Sequence, residues 1–311
     1  MSEIQSYKVF SPATVANVGS GYDIFSLAIN EPGDIIEFIP NELGVLRIEN
    51  RSRSFLNMPL NPDENATTVP MALMLKDHQI TKGFDVVFHQ KIRPGSGLGS
   101  SAASSVAGVF YLNKVLQLNL SSVEQINYAR EGERVACGSP IADNVAACLN
   151  GGFNLIRSQD PLEVFALNYP KDLYLACVHP ELEILTSESR AILPKEVSLK
   201  SAVEQNAQSA ALVAGMASNN LDLISKGTTD ILVEPHRKKL IKGFDELKKI
   251  VLANGGMNCS ISGAGPSLFS FCRNHEVASL IATEMNSFFN NIGITSDVYI
   301  STINTDGIKV M

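Results

Sequence analysis

Two hydrophobic rhythms alternate along the chain. Short runs rich in β-branched and aromatic residues, bounded by Gly, Pro or Asn, predict strands. They fall at Tyr7–Phe10, Asp34–Ile39, Val45–Ile48, Phe84–His89, Phe153–Ile156, Leu173–Val178, Ser267–Phe271 and Asp297–Ile300. Stretches whose apolar residues recur every three or four positions predict helices. These cover Thr68–Asp77, Ser101–Leu116, Val123–Ala136, Val203–Ala217, Phe244–Ala253 and Glu276–Phe289. The two kinds mix throughout, so the class is α/β or α+β. A turn-rich zone from Gln159 to Lys171 contains two prolines and predicts a domain junction.

The helix over Val123–Ala136 has a clear start and an odd residue inside it. Ser121 and Ser122 precede it, with Glu124 and Gln125 three residues on, the spacing of a capping box. Its apolar stripe then reads Ile126, Ala129, Glu133, Ala136. Burying an unpaired carboxylate is costly, so Glu133 requires a partner. A metal ion or an arginine would serve, Arg130 and Arg134 being near in sequence.

Composition narrows the class. A length of 311 residues fits two domains, and 45 % hydrophobic residues suffice for a sizeable core. The net charge of −7 argues against broad nucleic-acid binding, although a locally positive site could still take a small anion. Five cysteines (Cys137, Cys148, Cys177, Cys259, Cys272) form no C-x-x-C pair, and their number is odd. This argues against a disulfide framework and for a reducing cytoplasm. The start MSEIQSYKVF lacks the basic-then-apolar pattern of a signal peptide. The longest uncharged run, Pro94 to Asn113, holds four glycines and five serines, too polar to span a membrane.

That run carries the chemistry. Pro94-Gly95-Ser96-Gly97-Leu98-Gly99-Ser100-Ser101-Ala102-Ala103-Ser104-Ser105 is a glycine–serine loop feeding directly into a helix. Such a loop can wrap backbone N–H groups around an anion, and the helix start adds partial positive charge. A P-loop requires Gly-Lys followed by Ser or Thr, and the chain has no Gly-Lys dipeptide. A dinucleotide fingerprint requires GxGxxG near a domain start, and here the third glycine has the wrong spacing. A plain turn before a small-residue helix is the bland alternative. Against it stands a second cluster, Ser262-Gly263-Ala264-Gly265-Pro266-Ser267.

Together these segments resemble the small-molecule kinases that group galactokinase, homoserine kinase, mevalonate kinase and phosphomevalonate kinase. Pro94–Ala103 is similar to their phosphate loop, and Gly263-Ala264-Gly265-Pro266 to their third motif. Ser11-Pro-Ala-Thr-Val-Ala-Asn17-Val-Gly-Ser-Gly-Tyr-Asp23 is more selective and resembles the homoserine-phosphorylating branch. The Gly-Glu-His element of galactokinase is absent there. One departure is visible: family members usually have Ile-Pro before the loop, whereas this chain has Ile92-Arg93-Pro94. The departure bears on how the chain enters the loop.

The resemblance implies an α+β fold of two domains. Residues 1–165 would form an ATP- and substrate-binding domain like part of a ribosomal protein, with a left-handed βαβ crossover. Residues 166–311 would form a ferredoxin-like domain. The implied reaction converts ATP and L-homoserine into ADP and O-phospho-L-homoserine, on the route to threonine. By resemblance, Pro94, Gly95, Ser96, Gly97, Leu98, Gly99, Ser100, Ser101, Ala102, Ala103 and Ser104 would hold the ATP phosphates, with Gly263 and Gly265 behind them. Ser101 and Glu133 would ligate Mg²⁺, both being the hard oxygen ligands it prefers. Ser101 could equally be a helix N-cap.

A zwitterionic acceptor requires an acid for its ammonium and a cationic fork for its carboxylate. Asp23 would serve the first, Arg190 and Arg237 the second, with Thr186 beside the reacting end. Asn17 and Asn144 would contact the attacking hydroxyl. Asp143, after the helix-start signal Ser139-Pro140, is either a base or a complement to the helix dipole. Asn65 would approach adenine, or else close a turn before the Thr68 helix. His78, His89, His179, His236 and His275 are scattered without metal-ligand spacing and read as structural. The resemblance also implies a homodimer, and neither nucleic-acid nor membrane partners are expected. Two rival readings remain: another kinase of this group acting on a mevalonate-type alcohol, or a non-catalytic nucleotide-binding regulator.

Overall fold

In the computed structural model the chain is described over residues 5–52 and 58–311. The leader reading partly covers residues 1–4, which lie outside that range. The fold starts from two long antiparallel strands, β1 (Tyr7–Ala16) and β2 (Phe25–Asn41). β2 is far longer than its hydrophobic run suggests, because it continues through Asn30-Glu31-Pro32-Gly33. A register shift in β1 between Pro12 and Thr14 accommodates the bend. Gly33 is required at this bend, since a Cβ there would lie 2.2 Å from the Phe10 ring. The bend lets one strand serve two partners.

The C-terminal half of β2 pairs with β4 (Gly83–Gln90), which lies parallel to β3 (Leu46–Asn50). Helix α1 (Thr68–Asp77) makes the β3–β4 crossover. The N-terminal half of β2 pairs with β5 (Phe153–Gln159), which forms a hairpin with β6 (Leu162–Leu167). Helices α2 (Ser100–Val115), α3 (Ser122–Cys137) and α4 (Asp143–Asn150) complete this half. α2 and α4 pack directly on β1 and β2, and α3 lies against α2.

A second sheet has the order β10-β7-β9-β8 and is antiparallel throughout. Its strands are β7 (Tyr174–Pro180), β8 (Ser260–Ile261), β9 (Leu268–Cys272) and β10 (Ser296–Thr302). That order is the ferredoxin-like one. Its first crossover is expanded into α5 (Thr186–Ala191), α6 (Leu199–Ser218), α7 (Leu221–Gly227), α8 (Glu234–Arg237) and α9 (Phe244–Ala253). The second crossover is α10 (His275–Asn291), packed on β7 and β10. The short strand β11 (Lys309–Val310) then returns to pair with β1.

Several sequence expectations are corrected. The zone from Gln159 to Lys171 contains strand β6 rather than a junction. A division at 165/166 therefore cuts a hairpin in which Phe165 faces Leu155. Two prolines suggested a break, yet Pro161 occupies the hairpin turn, where a ladder donor is not needed. The α3 capping box forms as expected through Ser121 and Glu124. Its stripe ends one turn early, with Ala136 exposed. Ser139-Pro140 does not start α4, which begins at Asp143 behind Ala142.

One buried ion pair ties the two halves of this first layer together. Lys91, just after β4, donates to Asp34 of β2 at 3.0 Å, and the side chains are 6 % and 0 % exposed. Lys91 also donates to the carbonyl and hydroxyl of Ser100 at 2.9 and 2.6 Å. Asp34 is fully used: Ile92 N–H donates to one oxygen, Ser104 hydroxyl and Lys91 to the other. Removing one partner of such a pair strands a charge in the core. Lys91→Met is expected to lower unfolding stability by about 3–5 kcal/mol, read from urea denaturation. A loss below about 1 kcal/mol would show that water reaches Asp34.

Candidate active site

The glycine loop has the backbone that anion binding demands. Gly95, Gly97 and Gly99 have φ of 70°, 80° and 69°, in alternation with Ser96 and Leu98. Alternating left- and right-handed residues turn successive N–H groups to one side, forming a concave nest. Leu98 is buried in the core and anchors the loop, with its carbonyl accepting from Thr14 N–H at 3.1 Å. Gly99 is the N-cap of α2, so Ser101 lies in the first turn and does not cap it. Pro94 and Gly95 are exposed at the mouth. Ala102, Ala103 and Ser104 bury their side chains, so only backbone groups here can face a phosphate.

The second glycine cluster closes on the first. Ser262 hydroxyl donates to Gly97 carbonyl at 2.7 Å, and Ser267 N–H donates to Ser96 carbonyl at 3.1 Å. A Cβ on Gly97 would lie 2.5 Å from Ser262 carbonyl oxygen and 2.8 Å from that of Gly265. Gly263 N–H donates to Ala16 carbonyl at 3.2 Å. Gly263 and Gly265 thus brace the loop from behind. Arg93, the departure noted above, pairs with Glu181 at 2.8 Å and Asp297 at 3.7 Å. It ties the loop's approach to the edge of the second sheet.

Glu133 is the odd carboxylate of α3, and no arginine answers it. Arg130 donates to Pro140 and Gln159 carbonyls, and Arg134 pairs with Glu131. One Glu133 oxygen is buried and has no hydrogen-bond partner. Burial raises its carboxyl above the usual range, and the adjacent Ser101 hydroxyl and Cys137 thiol only partly offset this. The Ser101 hydroxyl and the Glu133 carboxyl lie side by side, and both are hard oxygen donors of the kind Mg²⁺ takes. Among the described residues no cluster of three His, Cys, Asp or Glu could hold a metal alone.

The charged residues assigned to the acceptor do meet, across 167 positions of sequence. Arg190 of α5 forms a two-pronged pair with Asp23, at 2.8 and 3.0 Å. Tyr22 hydroxyl accepts from Arg190 at 2.7 Å. The Tyr22 ring lies 5.1 Å from the Arg237 guanidinium and 5.5 Å from that of Arg190. Arg237 is buried and donates to the carbonyls of Gly263 at 2.7 Å and Ser189 at 3.3 Å. Burial raises the Tyr22 phenol, helped by the Asp23 carboxylate, so it keeps its proton at neutral pH. Thr186 opens α5, one turn before Arg190.

The amide residues are partly committed to the scaffold. Asn17, with φ 67°, donates to Gly263 carbonyl at 2.9 Å and accepts from Asp23 N–H at 3.1 Å. Asn144 accepts from Thr14 hydroxyl at 2.6 Å. Asp143 accepts from Asn144 N–H at 2.7 Å, and burial followed by the Asp23 charge pushes its carboxyl up to about 7. Asn65 donates to Pro59 carbonyl at 2.8 Å and accepts from Thr67 N–H at 2.9 Å, closing a turn. His179 is buried beside Ser267 at 3.3 Å, and burial lowers it to about 4. Sequence reasoning missed Tyr22, Thr14, Lys91 and Ser262. Tyr22, Thr14 and Ser262 lie inside the quoted motifs and could have been found there; Lys91 carries no local signal.

A nest at a helix start, braced by a ferredoxin-like sheet and facing a cluster of opposite charges, defines a small-molecule kinase fold. Residues 66–152 match the GHMP kinases N terminal domain, and residues 209–291 match GHMP kinases C terminal. Homoserine kinase from Chlorobium phaeobacteroides is 36 % identical, over 97 % of this chain and 98 % of that protein. Homoserine kinase from Methanococcus maripaludis is 39 % identical, over 89 % of this chain and 91 % of that one. The crystal structure of homoserine kinase from Cytophaga hutchinsonii superposes with a TM-score of 0.94 at 42 % identity, covering 100 % of this chain and 99 % of that chain. L. major mevalonate kinase in complex with R-mevalonate shares the fold alone, with a TM-score of 0.75 at 14 % identity. The chain belongs to the GHMP kinase family, in its homoserine kinase branch.

The Asp143 carboxyl makes a pH test possible. Unfolded, it releases its proton near 3.8; folded, it holds it to about 7. Between those values the folded state binds more protons, so this group's contribution to stability falls as pH rises. Urea unfolding of the wild type is expected to lose stability from about pH 4 to about pH 7 relative to Asp143→Asn. Parallel profiles for the two proteins would exclude a raised Asp143.

Proposed function

We propose that this chain transfers the γ-phosphoryl group of ATP to the side-chain hydroxyl of L-homoserine, giving ADP and O-phospho-L-homoserine on the route to threonine. The observation that carries this reading is the Asp23–Arg190–Arg237 cluster around Tyr22. It offers one acid and two guanidiniums, the charges an amino-acid zwitterion presents in reverse. A mevalonate-type hydroxy acid has no ammonium to place on Asp23.

In this reading the nest of Gly95–Ser101 binds the β- and γ-phosphates through backbone N–H groups. Ser101 and Glu133 would hold Mg²⁺ alongside them, and when bound it would supply positive charge against the phosphates. Asn17 and Asn144 orient the acceptor hydroxyl beside Thr186. Asp143, with a carboxyl near 7, suits acceptance of the hydroxyl proton at neutral pH. Phosphoryl transfer otherwise needs positioning and charge, which rigid loops supply. Asn65 approaches adenine through the turn it closes. A homodimer and a cytoplasmic location accompany the reading, the latter supported by five free thiols. No helix among the described residues is long and apolar enough to cross a membrane.

A coupled ADP-release assay should compare L-homoserine, mevalonate, galactose and no acceptor. Turnover above the blank is expected with L-homoserine alone; a homoserine rate equal to the blank sinks the assignment. Arg190→Ala should raise the homoserine KM by about tenfold or more with the ATP KM unchanged. An unchanged homoserine KM refutes the carboxylate role.

A further inference from the structure

Asp23 and Arg190 cannot serve a ligand while they serve each other. Both terminal nitrogens of Arg190 are bound to both oxygens of Asp23, at 2.8 and 3.0 Å. Yet recognition of a zwitterion, on the reading above, asks Asp23 for an ammonium contact and Arg190 for a carboxylate contact. We propose that the acceptor site is closed on itself when empty and opens by ion-pair exchange, so that only a ligand carrying both charges replaces both contacts. This rests on the homoserine reading and names the device that sets its selectivity.

Three features of the cluster support the exchange. First, the closed pair leaves Arg190 imperfectly satisfied, because its Nε is buried without a partner. A reoriented guanidinium facing a carboxylate can use that donor; the closed one does not. Second, Arg190 has a tether independent of Asp23. Tyr22 hydroxyl holds one terminal nitrogen at 2.7 Å, so the guanidinium stays in the site when the carboxylate lets go. Third, Arg237 is built differently. It is buried and anchored on two carbonyls, at Gly263 and Ser189, and pairs with no carboxylate among the described residues. Arg237 is a standing charge and Arg190 a switched one.

The consequence is a penalty on half-matched ligands. A hydroxy acid that takes Arg190 strands Asp23, and an amino alcohol that takes Asp23 strands Arg190. Each loses the pair and regains only one side of it. The homoserine zwitterion regains both.

The test reads a gain in affinity where a plain contact gives none. 4-Hydroxybutanoate is homoserine without its ammonium. Asp23→Asn suits the site because Asn tolerates the left-handed backbone that Asp23 adopts at φ 59°. If Asp23 only contacts ammonium, this change leaves 4-hydroxybutanoate binding untouched. If Asp23 holds Arg190, the change frees Arg190, and affinity for 4-hydroxybutanoate is expected to rise about tenfold. The gain must disappear in an Arg190→Gln background, which separates release of Arg190 from simple removal of a repelling charge. Binding is measured by inhibition of homoserine turnover where turnover survives, and by titration calorimetry for every variant; thermal melting verifies that each is folded. Asp23→Asn binding 4-hydroxybutanoate no better than wild type, or gaining equally in both backgrounds, overturns the exchange. Homoserine turnover by the wild type is the internal control. Its absence defeats the functional reading, and its presence with a flat Asp23→Asn response defeats the exchange alone.

Discussion

The backbone of Gly97 runs against the backbone of Ser262–Gly265 more closely than any side chain would allow. A Cβ on Gly97 would sit 2.5 Å from Ser262 oxygen. This approach is where the two sheets exchange their loops. Ser262 and Ser267 hydrogen-bond to the glycine loop, while Gly263 hydrogen-bonds to Ala16 at the end of β1. Gly263 carbonyl also accepts from Asn17 and from Arg237. One short segment therefore contacts the phosphate nest, the end of the first strand and the carboxylate clamp at once. On the proposed reading, this segment flanks both the phosphate and the acceptor sites, and its close backbone approach lets them lie side by side, as an in-line transfer requires.

Polar satisfaction separates scaffold from machinery. Lys91 and Asp34 are both buried, and every donor and acceptor between them is used. They hold the first turn of α2 still. Glu133 and Arg190 are the reverse case: each retains a buried atom with no partner. An unmet buried polar atom is costly and persists where a ligand will meet it.

What could be read from the sequence follows how locally each feature is encoded. The α3 capping box and the glycine loop are written in consecutive residues, and both form. Glu133 was legible because one acid broke a periodic stripe. The long strand β2 was hidden by Pro32 and Gly33, since a bend and a break look alike in one dimension. β6 was hidden in the same way by Pro161 and Pro170. The Asp23–Arg190 pair was anticipated as two halves of a ligand site, and its members' grip on each other was not. That contact depends on a crossover helix returning across 167 residues, which no spacing rule encodes. Lys91 was unreadable for a similar reason: a lone lysine after a strand is usually a solvated end.

The division of labour follows from the topology. The phosphate nest is built where β4 ends and α2 begins, within the first layer, and is braced by the loop between β8 and β9. The arginines proposed to bind the acceptor lie elsewhere, on α5 and α8 within the expanded crossover between β7 and β8. Crossover helices outside the sheets can change without disturbing strand register, whereas the nest leaves less room, because a Cβ on Gly97 or Gly99 would lie under 3 Å from Ser262 or Thr14. The fold can therefore keep one phosphate chemistry and exchange what receives it. Asp23 and Tyr22, with Asn17, sit on the other side of the divide, in the β1–β2 connection, and it is across that divide that Arg190 reaches to hold Asp23 and Tyr22.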